Sequence, residues 1–191
     1  MEHWIRQLSS ADSATRQAAA VEIFRRGREL ALAAIEPWLA DGTLMQLFVM
    51  SSTHSPEATV GIAVEAATFE MIRKACGSPR LAEVPPDQDA QEFELEFPAG
   101  VRLDILTPRE GEGSGALARH LRKFGESIQQ VELLVKNVDW ATEVLKSHFH
   151  AAPIFSQTRS GANGTRVNFF LLPAPGGKKV LIELVEAETS A

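Results

Sequence analysis

Apolar and polar residues alternate along four stretches of the chain. Phe93, Leu95 and Phe97 interleave with Glu92, Glu94 and Glu96, and Val101, Leu103 and Ile105 with Arg102 and Asp104. Val131, Leu133 and Val135 interleave with Gln130, Glu132 and Leu134, and Val167 and Phe169 with Arg166 and Asn168. A period of two predicts strands with one face on a core and the other facing water or a pocket. Helical spacing over 66–76 and 138–147 predicts two helices to cover the apolar face. The polar face then holds Thr59, Arg102, Asp104, Gln130, Glu132, Asn168 and Glu183, with the glutamates of 92–96 beside them.

These elements occur in duplicate. A strand at Thr59–Val64 runs into a helix around Thr68–Arg73, and a strand at Gln130–Val135 runs into a helix around Asp139–Leu145. Each copy closes on a strand with a carboxylate inside it, Asp104 in Val101–Leu106 and Glu183 in Val180–Val185. Equivalent positions of the two copies are therefore the first place to look for a site. Arg109–Gly115 joins the copies and reads by composition as a flexible linker, followed by a basic helix with Leu117, Leu121 and Phe124 on its apolar side.

The first forty residues have helical spacing only. Trp4, Ile5 and Leu8 make a short helix. Ser10 or Asp12 caps a second, which Gly27 ends, and a third carries Leu30, Ile35, Trp38 and Leu39, with Pro37 bending it. Residues 44–50 fit either an extra strand or the tail of the helical region. The string Leu8–Ala19, with Gly27 and Ile35–Leu39, resembles a HEAT repeat over residues 2–40. The division is thus 1–43, a HEAT-like helical segment, and 44–191, the duplicated domain. A lone repeat cannot bury both faces, so it caps the following domain or docks a protein partner.

Composition narrows the class. The 191 residues carry a net charge of −6, which disfavours nucleic acid. One cysteine, Cys76, permits no internal disulfide and fits a reducing compartment, so the expectation is cytoplasmic. No apolar run is long enough to span a membrane. His148 and His150 form a His-x-His pair without a third ligand nearby and read as surface histidines. No P-loop, dinucleotide fingerprint or Ser or Cys nucleophile motif is present.

The segments Val60–Val64, Leu121–Ile128, Gly161–Val167 and Gly177–Glu186 resemble the vicinal oxygen chelate superfamily. That superfamily includes glyoxalase I, extradiol dioxygenases and bleomycin-resistance proteins, and the segments are similar above all to its methylmalonyl-CoA epimerase-like members. The resemblance implies an α+β fold: a helical hairpin followed by two βαβββ modules, about 58–108 and 128–186, forming a curved, cupped mixed sheet. It also implies a metal held by a His on the first strand of each module and a Glu or Gln on each closing strand. Those positions are Thr59, Gln130, Asp104 and Glu183, so both imidazoles are replaced and both oxygen ligands remain.

The replaced imidazoles lead to the expectation of no bound cofactor; the alternative is a divalent cation, for which an all-oxygen set suits Mg²⁺ or Mn²⁺, with Co²⁺, Ni²⁺ and Zn²⁺ as the wider choice. Two carboxylates without a cation repel, and a metal, a cationic ligand, or Arg102 and Arg166 would relieve this. Asp104 and Glu183 are the candidates for acid–base work. The family's proton-transferring glutamate falls near Asp87 or Glu92. The family's pocket-bordering loop falls on Asn163 and Arg166, which join Thr59, Gln130, Arg102, Glu132 and Asn168 as ligand-binding candidates. The expected function is binding of a small molecule by a protein with a degenerate metal site. The alternatives are a metal-dependent isomerase or lyase acting on a small carbonyl compound or acyl thioester, and a protein-interaction module using the helices. A homodimer is compatible with either.

Overall fold

The computed structural model describes residues 1–42, 44–52, 54–110 and 113–187. Its elements, in chain order, are α1 (Glu2–Gln7), α2 (Ser13–Ala40), β1 (Ala58–Ala63), α3 (Ala66–Ala75), β2 (Gln91–Phe97), β3 (Val101–Thr107), α4 (Ala116–Phe124), β4 (Ser127–Val135), α5 (Val138–Phe149), β5 (Arg159–Ser160), β6 (Arg166–Ala174) and β7 (Lys178–Glu186). The class is α+β, with a helical N-terminal region. The chain divides into two compact units: Met1–Gly27 with Thr59–Gln129, and Arg28–Ala58 with Gln130–Ala191.

In the first unit β3 pairs antiparallel with β2 and parallel with β1. The apolar side chains Val60, Ile62, Phe93, Leu103 and Ile105 are fully buried. Phe69 of α3 packs edge-on against Phe93, with ring centres 4.7 Å apart. Leu117, Ala118 and Leu121 bury one side of α4, whereas Phe124 stays 61% exposed, contrary to the apolar side read for it. Where the second module has β5, this one has an irregular segment before β2. Pro79, Pro85 and Pro86 have no N–H to give a ladder, and Ala82 N supplies a single backbone bond to Glu92 O.

In the second unit β7 pairs parallel with β4 and antiparallel with β6, and β6 pairs with β5. The core is Val131, Leu133, Val135, Phe170, Ile182 and Leu184 against Val138, Ala141 and Leu145 of α5. Trp38 completes it, 6.0 Å from the Phe170 ring and 6.3 Å from that of Phe149. Asn137 caps α5 by accepting Trp140 N at 2.8 Å. Residues 44–50 are one 3₁₀ turn and then bridges, Phe48 with Val135 and Met50 with Pro56.

Helix α2 corrects the reading of two helices broken at Gly27. It is continuous over 28 residues and includes Pro37. Gly27 is a clearance rather than a stop: a Cβ there would meet Val60 Cγ1 at 2.5 Å. The linker read over Arg109–Gly115 includes residues 111 and 112, which lie outside the described residues; the residues on either side of them are held. Arg109 donates to Ala90 O (2.8 Å) and Val84 O (2.9 Å), and Arg122 donates to Gly113 O (2.9 Å). Added Cβ atoms at Gly113 and Gly115 would lie 2.7 and 2.8 Å from Asp89 Oδ2, so both glycines make room for that carboxylate.

Candidate functional site

Strand register decides which polar side chains share a face, because directly paired residues point the same way. In the first unit Asp104 is opposite Glu94 on β2 and Gly61 on β1, while Glu96 is opposite Arg102 and Glu92 opposite Leu106. By the same alternation Thr59 joins them. Thr59, Arg102, Asp104, Glu92, Glu94 and Glu96 therefore occupy one face, away from α3. Asp104 and Thr59 are 7% and 8% exposed.

This face crowds negative charge. Burial raises the Glu92 carboxyl to about 7, and the neighbouring Glu94 charge adds to the shift. Glu94 is also raised, first by desolvation and further by Glu96, with Arg102 opposing. Asp87, the other proton-transfer candidate, is exposed in a turn.

In the second unit Glu132 and Glu183 are direct partners across β4 and β7, and Phe169 of β6 is the next partner of Glu183. Gln130, two residues before Glu132, shares their face. Its Nε2 donates to Glu183 Oε2 at 2.5 Å and to Glu132 Oε1 at 3.3 Å. Gln130 and Glu183 are 7% and 8% exposed. Around them stand Leu134, Phe169, Leu181 and Val185, each partly exposed, and Leu171, which is exposed. Phe155 packs edge-on against Phe169 (5.9 Å), and the Arg159 guanidinium lies 4.3 Å over the Phe155 ring. The arrangement is an apolar surface with a hydrogen-bonded carboxylate pair at its centre.

Asn168 and Arg166 fall elsewhere, which corrects their placement on the polar face. Asn168 is fully buried toward α5, where its Nδ2 donates to Thr142 Oγ1 and Phe155 O, both at 3.4 Å, and its Oδ1 accepts Phe169 N at 2.8 Å. Phe169, expected in the core, takes the face assigned to Asn168. Arg166 is exposed and donates to Glu186 (3.1 Å) and Asp139, so it relieves neither Asp104 nor Glu183. Bonds from Thr158 and Arg166 hold the Asp139 carboxyl below its usual range. Asn163 is exposed at the left-handed position of the turn between Gly161 and Thr165. His148 and His150 are exposed, and His148 Nε2 is 3.2 Å from Asp41 Oδ2.

Gln130 also decides the fit to a metal. Among the described residues no three His, Cys, Asp or Glu side chains are grouped to hold an ion. Gln130 turns N–H bonds, not a lone pair, toward the two carboxylates. The donor set of the second unit therefore does not fit a divalent cation. Its bridging amide was not visible in the sequence, where Gln130 registers only as a missing imidazole.

No family profile matches the chain, and no curated protein does. Solved structures do. Methylmalonyl-CoA epimerase from Mycobacterium tuberculosis is 30% identical over 69% of this chain and 87% of its own, with a TM-score of 0.55. The chain belongs to the vicinal oxygen chelate family. A hypothetical protein from Bacillus halodurans is 24% identical over 72% of this chain and 96% of its own, with a TM-score of 0.56. A methylmalonyl-CoA epimerase in complex with methylmalonyl-CoA and NH4+ is 24% identical over 71% and 96%, with a TM-score of 0.55. These two share the vicinal oxygen chelate fold. Among the described residues no helix is long and apolar enough to cross a membrane.

Proposed function

We propose that this chain binds a small molecule of the acyl-thioester class on the open faces of its β modules, without a metal ion in the second unit. The observation that carries this reading is the Gln130 amide, which bridges Glu132 and Glu183 at the centre of a partly exposed apolar surface. Convergent polar groups set in apolar surroundings are what a small organic ligand requires. The thioester class is suggested by the relative that carries methylmalonyl-CoA. The test is calorimetric titration with propionyl-CoA and methylmalonyl-CoA in EDTA, with free CoA as control. Saturable binding is expected, weakened about tenfold by Gln130→Ala, which corresponds to ~1.4 kcal/mol. Binding only after a divalent cation is added, or none at all, overturns the reading.

A second reading adds proton transfer. Glu92 holds its proton up to about pH 7 on the same face as Asp104, and a carboxyl poised near neutrality suits removal of a proton next to a carbonyl. Exchange of the α-hydrogens of propionyl-CoA in D₂O, followed by NMR and abolished in Glu92→Gln, is the expected sign. Exchange no faster than in buffer rejects it.

A further inference from the structure

We infer that Gln130 stands in for a cation in the second unit and closes the Glu132–Glu183 pair to divalent metals. The two glutamates are direct partners on β4 and β7, and Gln130 lies on the same face two residues along β4. Its amide nitrogen is 2.5 Å from Glu183 Oε2 and 3.3 Å from Glu132 Oε1. A cation shared by two carboxylates sits about 2.0–2.6 Å from their oxygens. The amide nitrogen stands at such a distance from Glu183 and farther from Glu132, and so lies on the approach of an ion to Glu183.

The orientation of the amide follows from its neighbours. The nitrogen has two N–H bonds and no lone pair to give, and two carboxylates accept from it. Turned over, the amide would point its oxygen at two carboxylates and lose both bonds. Gln130 is 7% exposed, so water does little to offset that loss. A metal would have to displace the nitrogen and break both hydrogen bonds to reach the two carboxylates. Changing the amide to a carboxylate of the same shape reverses the balance. Three acidic groups then face one another, and a cation relieves them.

The inference takes the open face of the second unit from the proposed function, but its test uses Mn²⁺ alone, so either can fail without the other. The EDTA-stripped full chain is titrated with Mn²⁺, and binding is read by water-proton relaxation and by thermal unfolding. The wild-type protein is expected to show no saturable relaxation change and no upward shift in Tm. Gln130→Glu is expected to bind one equivalent and gain several degrees, and Glu183→Gln in that background to abolish both. One equivalent of Mn²⁺ on the wild-type protein, lost in Glu183→Gln, overturns the inference. So does a folded Gln130→Glu protein that binds no more than wild type. If Gln130→Glu does not fold in EDTA, Gln130→His is judged by the same criteria, because it also gives the pair a lone-pair donor.

Discussion

Val60 closes over the α-carbon of Gly27, leaving room for a hydrogen and nothing larger. A Cβ at residue 27 would meet Val60 Cγ1 at 2.5 Å and Cγ2 at 2.6 Å. Alanine favours a helix interior over glycine by about 1 kcal/mol, but overpacking a tight contact costs about 1–3 kcal/mol. Gly27→Ala is therefore expected to lower stability by up to about 2 kcal/mol in urea unfolding. Adding Val60→Ala should remove the clash, so the double variant is expected to be more stable than the sum of the single changes.

Gln130 and Glu183 are expected to be strongly coupled. A hydrogen bond to a charged group contributes about 1.5–3 kcal/mol, and both residues are buried. A double-mutant cycle on Gln130→Ala and Glu183→Ala should give coupling in that range. The Gln130 and Glu132 cycle should give under about 1 kcal/mol, because that bond is longer and Glu132 is partly exposed.

Stability should respond to pH through Glu92. Its folded value, about 7, lies above its ordinary value of 4.5, so the folded state binds more protons between the two. Stability is then fully present below about pH 4.5 and falls as the pH rises toward 7. Glu92→Gln removes this contribution. Its Tm should exceed that of the wild-type protein by more at pH 8 than at pH 5, measured in matched ionic strength.

Asn168 and Arg166 should separate stability from binding. Asn168→Ala takes away the acceptor of Phe169 N and the donor to Thr142 and Phe155. The loss is expected to be about 1–3 kcal/mol in chemical unfolding, with thioester affinity unchanged. Arg166→Gln should also leave affinity unchanged, because its partners are Asp139 and Glu186. A tenfold loss of affinity in a folded Arg166→Gln protein would count against this assignment.

The period-two pattern located most of the strands, because a residue that faces a core is apolar unless, like Asn168, it finds hydrogen-bond partners there. It misplaced β6. The run Val167-Asn168-Phe169-Phe170-Leu171 contains apolar residues of both parities, and only the pairing of Phe169 with Glu183 fixes which set faces α5. Gly27 misled for a similar reason. Glycine ends helices and also lets a neighbour approach closely, and the choice depends on Val60, 33 residues away in sequence. In the candidate site, Thr59 and Gln130 stand in the sequence where the resemblance implies imidazoles. The new work of Gln130 was not legible there, since it depends on the register between β4 and β7.

The burial of Trp38 gives the second unit an optical reporter of its own core. The chain has three tryptophans and no tyrosine. Trp140 is 48% exposed, whereas Trp38 is 3% exposed between Phe149 and Phe170. With Trp4 and Trp140 changed to Phe, the emission would come from Trp38 alone. It would be blue-shifted and poorly quenched by acrylamide while the packing of α5 on β6 holds, and it would redden as that packing opens.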